Sequence, residues 1–273
     1  MRLQYSAEAL EEMAHTLRVH TIESIHAAGS GHPGGSLSLA EIMSVLFFRI
    51  MDVDPEHPGC ETRDRFVLSK GHAAPVYYAA LAERGFFDTK ELLRLRKIDS
   101  MLQGHPDRKR IPGVDMSSGS LGQGISAACG MAYYAKNNEK SWRTFCILGD
   151  GELQEGQVWE ALMCAAHFRL GRLTALIDRN GLQIDGAVSE VMAVEPLTDK
   201  LRAFGWDVAE ADGHDVRALT DILERPRVAD DRPLALVCHT VKGKGVSFME
   251  NQADWHGAPI GDADYARAMQ DLG

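Results

Sequence analysis

The stretch Phe145–Leu148, running straight into Gly149-Asp150-Gly151, constrains this chain more than any other. It is an apolar run that enters a tight glycine turn with a carboxylate at its tip. The return half, Leu173–Asp178, is a second apolar run, and Arg179-Asn180-Gly181 follows it. Short apolar runs bounded by such turn residues read as strands of a buried parallel sheet. Two parallel strand ends would then hold a carboxylate and an amide oxygen side by side. Hard divalent cations take oxygen ligands of this kind and keep room for phosphate oxygens.

The remainder of the chain alternates in the same manner. Helical spacing covers Ser6–Ala28 and stops at Gly29, and Ser38-Leu-Ala-Glu41 reads as a capping box opening a helix through Phe48. Ala73–Arg84 is helical with Gly85 as its stop. Further helices are expected at Thr89–Lys97, Gln123–Lys136, Glu155–His167, Thr198–Phe204 and Val216–Leu223. Strands are expected at Phe66–Ser69, Thr144–Leu148, Arg172–Ile177, Trp206–Glu210 and Leu234–Thr240. This order predicts an α/β fold, a mostly parallel sheet with helices on both faces, built as one domain over residues 1–273. Ligands of such sheets sit beyond the carboxyl ends of the strands, where Asp150 and Asn180 both fall.

A net charge of -10 argues against a general nucleic-acid binder, because no basic cluster is large enough to neutralise a phosphate backbone. Arg94–Lys97 and Arg108–Arg110 read as solvated faces. No apolar run approaches bilayer length and no signal-peptide pattern opens the chain. Cysteines 60, 129, 146, 164 and 238 form no CxxC pair, which points to the reducing cytoplasm.

Gly29-Ser-Gly-His-Pro-Gly34 matches GxGxxG in form, but it follows a helix rather than a strand and contains Pro33, so a dinucleotide site is not expected. Gly119-Ser-Leu-Gly-Gln-Gly124 precedes a helix, and its backbone N–H groups could face an anion; close packing explains it as well. His32, His72, His105 and His256 lie in loops next to glycine at expected element ends. Imidazoles there can move protons or bond sugar hydroxyls and phosphates. In the turn after Asp150, Glu152 reads as solvated, and the helix dipole explains Glu155 as well as catalysis does.

With these motifs in order, the chain strongly resembles the N-terminal, diphosphate-binding domain of transketolase. The resemblance runs from Ser30-Gly-His-Pro-Gly-Gly35 through Ser69-Lys-Gly-His72 and Gly104-His-Pro106 to Gly119-x-Leu-Gly-Gln-Gly124. It continues with Gly149-Asp-Gly-Glu-Leu-Gln-Glu-Gly156 and ends at His256-Gly-Ala-Pro259. It implies thiamine diphosphate as cofactor, with Mg2+ or Ca2+ held by Asp150, Asn180 and the Leu182 carbonyl. It implies diphosphate contacts from His72, His256 and the Gly151 amide, and a cofactor lining of Gly119, Leu121, Glu155 and Ile184. It also implies that His32, His72, His105 and His256 face the sugar and assist proton transfer.

Two positions depart from the family pattern. Ser120 replaces a usual proline, and Lys242 stands where single-chain transketolases tend to be apolar; this resembles deoxyxylulose phosphate synthase, in which a lysine approaches the diphosphate, so Lys242 reads either as a phosphate contact or as a solvated residue. Family members also continue into a pyrimidine-binding domain, which carries the glutamate that activates the cofactor, and a third domain. The expected function is therefore the N-terminal subunit of a split transketolase. It would transfer a two-carbon ketol unit from a ketose to an aldose on sugar or sugar-phosphate substrates. A C-terminal subunit would supply the pyrimidine-binding domain, in a heterotetramer or larger assembly. The alternatives are a deoxyxylulose-phosphate-synthase-like or other ketol-transfer subunit, and a non-catalytic cofactor-binding interaction subunit.

Overall fold

A computed structural model describes residues 2–228 and 231–273. In chain order the helices are α1 (Ala7–Ala28), α2 (Pro33–Leu37), α3 (Ala40–Val45), α4 (Ala74–Glu83) and α5 (Gln123–Asn137). They continue as α6 (Gly156–His167), α7 (Val188–Val191), α8 (Leu197–Ala203), α9 (Val216–Leu223) and α10 (Asp262–Leu272). The strands are β1 (Arg65–Leu68), β2 (Thr144–Gly149), β3 (Leu173–Arg179), β4 (Leu182–Gln183), β5 (Gly186–Ala187), β6 (Asp207–Asp212) and β7 (Leu234–His239). Five strands form one sheet in the order β1-β2-β3-β7-β6, parallel throughout, and β4 pairs with β5 as a small antiparallel ribbon.

The sheet is buried on both faces, so its central strands are almost wholly apolar. Successive residues point to opposite faces. Phe145, Ile147, Leu176 and Leu236 join the core built by α1, α3, α4 and α9. Cys146, Leu148, Ala175, Ile177 and Val237 join the core built by α5, α6 and α8. Gly149 of β2 stands level with Asp178 of β3, which stands level with Cys238 of β7. That register brings the turns after three adjacent strands to one rim.

Helix α1 begins where Ser6 accepts a hydrogen bond from the Ala9 N–H at 3.3 Å, and it ends at Gly29, left-handed at φ 64. The capping box at Ser38 does not form. The chain there makes two short helices, and Leu39 precedes α3 without a side-chain cap. Ser38 instead donates to Asp178 Oδ2 at 2.7 Å, while Glu41 accepts from Arg18 and His214. Both side chains are buried, and tertiary partners took the oxygens that a local cap would have used. The helix expected over Thr89–Lys97 is a 3-10 segment ending at Arg94. Arg96 beyond it is not a solvated residue, since its guanidinium packs over Gly104 and donates to Ser30 Oγ at 3.1 Å. Among the described residues no helix is long and apolar enough to cross a membrane.

Candidate functional site

A cleft of about 190 Å3 opens at the carboxyl ends of β1, β2, β3 and β7. Asp150, Gly151, Glu155, Asn180, Leu182 and Ile184 line it, together with His72, Leu121, Lys242 and His256. Residues spread over nearly two hundred positions are gathered here because parallel strands deliver all their following turns to one edge.

At the floor lies Asp178, the last buried residue of β3 and fully inaccessible. It forms an ion pair with the buried ammonium of Lys70 and accepts the hydroxyls of Ser38 and Thr240. Asn180 Nδ2 donates to it at 3.0 Å. Burial opposes its ionisation, but the Lys70 charge and these hydrogen bonds hold Asp178 below the usual carboxylate range. Asp150 has no such cation against it among the described residues. Its Oδ1 accepts from the Gly151 N–H at 2.8 Å and its Oδ2 from the Gly181 N–H at 2.6 Å. Burial, then the nearby Asp178 charge, push Asp150 up to about 6.

Lys242 is buried, not solvated. Its Nζ donates to the Leu182 carbonyl at 3.2 Å and lies 3.0 Å from His256 Nδ1, with no carboxylate of the described residues at ion-pair distance. Burial, then repulsion from Lys70, lower it to about 8. An ammonium has no lone pair, so His256 Nδ1 must accept and its proton must sit on Nε2.

His32, His72, His105 and His256 do meet. The His72 and His256 rings are 4.9 Å apart, and His32 lies 5.3, 5.8 and 6.4 Å from His72, His256 and His105. Burial is the first cause that keeps all four below the ordinary histidine range, with His32 lowered to about 4 and His256 to about 3. Arg96 adds to the effect at His32 and His105, Lys70 at His72 and Lys242 at His256. His32 Nδ1 is buried without a hydrogen-bond partner among the described residues.

Glu152 overturns its reading as a solvated residue. It is buried, and it accepts from Ser69 Oγ at 2.5 Å, the Gly122 N–H at 2.8 Å and the Gly149 N–H at 3.0 Å. The Gly122 N–H at the start of α5, which the sequence offered to an external anion, thus points at an internal carboxylate. Glu155 precedes α6 without capping it and is exposed along the cleft. Gly119 lies beside the His105 ring, where a Cβ would come within 3.0 Å of the imidazole.

Sequence reasoning gave no role to Lys70, Glu152 or Asp178. Lys70 sits inside the Ser69-Lys-Gly-His72 motif and Asp178 ends an apolar strand. A charge in either setting was the available signal, because a buried charge requires a partner.

The family model described as "Transketolase, thiamine diphosphate binding domain" matches residues 9–273. The chain belongs to the transketolase family. It corresponds to that family's N-terminal, diphosphate-binding part. It is 43% identical to the 6-deoxy-6-sulfo-D-fructose transketolase subunit SqwG of a Clostridium species, covering 96% of either chain. It is 45% identical to Homo sapiens transketolase, over 94% of this chain but 41% of the human one. The Campylobacter jejuni transketolase structure superposes with a TM-score of 0.91 at 32% identity, over 98% of this chain and 43% of that one. The chain thus spans about two fifths of these longer transketolases and nearly the whole of the Clostridium subunit.

Proposed function

We propose that this chain is the N-terminal subunit of a two-component transketolase. With thiamine diphosphate, Mg2+ or Ca2+, and a partner chain carrying the pyrimidine-binding domain, it moves a two-carbon ketol unit from a ketose to an aldose. The observation that carries this reading is near end-to-end likeness to a protein that is itself named a transketolase subunit. All three relatives above are named transketolases, which favours this chemistry over that of deoxyxylulose phosphate synthase.

The side chains present fit the implied groups. Asp150 is a buried carboxylate with no cation against it, beside an amide oxygen of Asn180 and the Leu182 carbonyl, a set of hard donors suited to Mg2+ or Ca2+. Lys242 is a buried ammonium without a carboxylate partner among the described residues, and with the His72 ring and His256 Nε2–H it suits a diphosphate, which the Gly151 N–H would reach by sharing its bond to Asp150 Oδ1. Gly119, Leu121, Glu155 and Ile184 would border the rest of the cofactor. When bound, thiamine diphosphate supplies the electron sink for cleaving the C2–C3 bond of the ketose.

His32, which packs against His72, His256 and His105, and His105 itself lie outside the cleft lining and would face the sugar. Held neutral, each ring keeps one lone pair and one N–H. It can therefore accept a proton from a sugar hydroxyl and return it without first losing one to water. Tyr133, Met163 and Phe168 on and beside α5 and α6 are exposed, an apolar surface that suits a partner subunit.

Mixing the purified chains tests the reading. The chain alone, supplied with thiamine diphosphate and Mg2+, should show no ketol transfer and should gain it when a pyrimidine-domain chain is added. Transfer by the chain alone would sink the split-subunit proposal. Tight complex formation without transfer would favour the non-catalytic binding subunit.

A further inference from the structure

A buried chain of polar groups behind the cleft ends on the loop that carries Lys242. Arg18 of α1 donates through Nη2 to both oxygens of Glu41 in α3, at 2.6 and 2.7 Å. Glu41 Oε2 also lies 2.9 Å from His214 Nδ1, in the turn between β6 and α9. Burial opposes ionisation of Glu41, but His214 and Arg18 hold it below the usual carboxylate range. An ionised carboxylate only accepts, so His214 Nδ1 carries the proton. His214 Nε2 is then the lone pair that accepts the Val241 N–H at 2.9 Å.

The same arginine closes the other end of the loop, where Arg18 Nε donates to the Lys244 carbonyl at 3.0 Å. Between these two anchors the Gly243 N–H donates to the Gly34 carbonyl at 3.0 Å, and the Lys242 carbonyl accepts from the Asn251 N–H at 2.9 Å. The Lys242 stem runs along Gly34, where a Cβ would stand 3.0 Å from Lys242 Cγ. Four hydrogen bonds thus tie the backbone at and beside the lysine.

We propose that His214, fixed in its Nδ1–H form by the Arg18–Glu41 pair, is a positioning residue that holds the Lys242 ammonium in the cleft for an anionic ligand. The assignment of that ligand as a diphosphate rests on the proposed function; the clamp itself does not. A desolvated ammonium gains most from an anion when its place is fixed beforehand, because neither ordering nor reorganisation is then charged to binding. A buried ion pair is often near neutral for stability, so a positioning role gives a reason for this one that stability alone does not.

Two variants and one measurement on the unaltered chain test it. Nitrogen NMR of the full chain should show His214 protonated at Nδ1 and bare at Nε2 at neutral pH; the opposite tautomer, or a charged ring, overturns the proposal. His214→Phe keeps a ring but offers Val241 no acceptor, while His214→Gln restores an oxygen that can accept there. Without cofactor, amide hydrogen exchange at Gly243, across Lys242 from the lost bond, should quicken in His214→Phe and return in His214→Gln. Wild-type exchange there overturns the clamp, whatever the ligand is.

With thiamine diphosphate and Mg2+, His214→Phe should weaken binding by about ten- to a hundredfold, the worth of one charge-assisted hydrogen bond. The double variant with Lys242→Met should be no worse than Lys242→Met alone. Fully additive losses overturn the link between the two residues. If Lys242→Met leaves binding unchanged, the diphosphate assignment of Lys242 fails, and the cofactor-free hydrogen exchange still decides the clamp.

Discussion

Asn180 donates from Nδ2 to Asp178 Oδ2 at 3.0 Å, and this bond fixes which way its amide faces. Asp178 is ionised and can only accept, so the nitrogen must lie against it and Oδ1 must point the other way. That oxygen accepts the Leu182 N–H at 3.1 Å, at the turn bordering the cleft. The amide proposed to hold a cation is therefore oriented by a carboxylate that never reaches the ligand.

Asp178→Asn should be among the costliest single changes in the chain. It removes the negative charge opposite Lys70, which is buried and has no other carboxylate at ion-pair distance among the described residues. Breaking one partner of a buried pair costs about 3–5 kcal/mol. Urea unfolding should register a loss of that order, and a loss below about 1 kcal/mol would contradict the burial argument.

Asp150→Asn should instead remove a pH dependence in the metal-free chain. The folded-state pKa of Asp150 is raised to about 6, so the folded protein holds a proton that the unfolded chain releases at lower pH. Stability from this group is present below the unfolded value and is lost as pH rises through about 6. The stability of the variant relative to wild type should thus rise by about 1–3 kcal/mol between pH 4 and pH 7, on top of a pH-independent loss from the NH2 that must face the Gly151 or Gly181 N–H. Adding Mg2+ with thiamine diphosphate should raise the melting temperature of wild type and leave the variant unchanged. Equal stabilisation of both would place the cation elsewhere.

The histidine cluster carries the opposite sign. His32 and His256 are lowered to about 4 and about 3, so the unfolded chain takes up protons before the folded one. Stability should fall as pH drops from about 6.5 into that range. Proton NMR should find both rings neutral at pH 6. Midpoints in the ordinary histidine range would show that burial does not govern them.

Glu152→Gln tests the internal anion at the start of α5. A carboxylate accepts from Ser69, Gly122 and Gly149 together, whereas an amide turns its NH2 toward at least one of those donors. One unsatisfied buried group costs about 1–3 kcal/mol. Denaturant unfolding should show that loss, along with faster hydrogen exchange at Gly122. Wild-type exchange there would mean the turn is held by other contacts.

Much of this architecture was legible in the sequence because it rests on local regularities. The apolar runs of β2 and β3, the Gly149-Asp-Gly turn, Ser6 before α1 and Gly29 after it announce themselves through neighbours a few residues away. Because parallel strands send their turns to one edge, the same pattern also brought Asp150, Asn180 and His72 toward one place. The family motifs added which of these residues to watch.

Only the tertiary structure decided where the buried polar groups find their partners. Ser38 and Glu41 have the spacing of a capping box, yet one serves Asp178, 140 residues away, and the other serves His214, 173 residues away. Glu152 looked solvated and closes a turn; Lys242 could have faced water and lies in the cleft. The physical reason is the same in each case. A strand or helix is specified by periodicity within a short window, but a desolvated charge must be matched by whatever donor or acceptor the packing brings to it, and sequence spacing does not record that encounter.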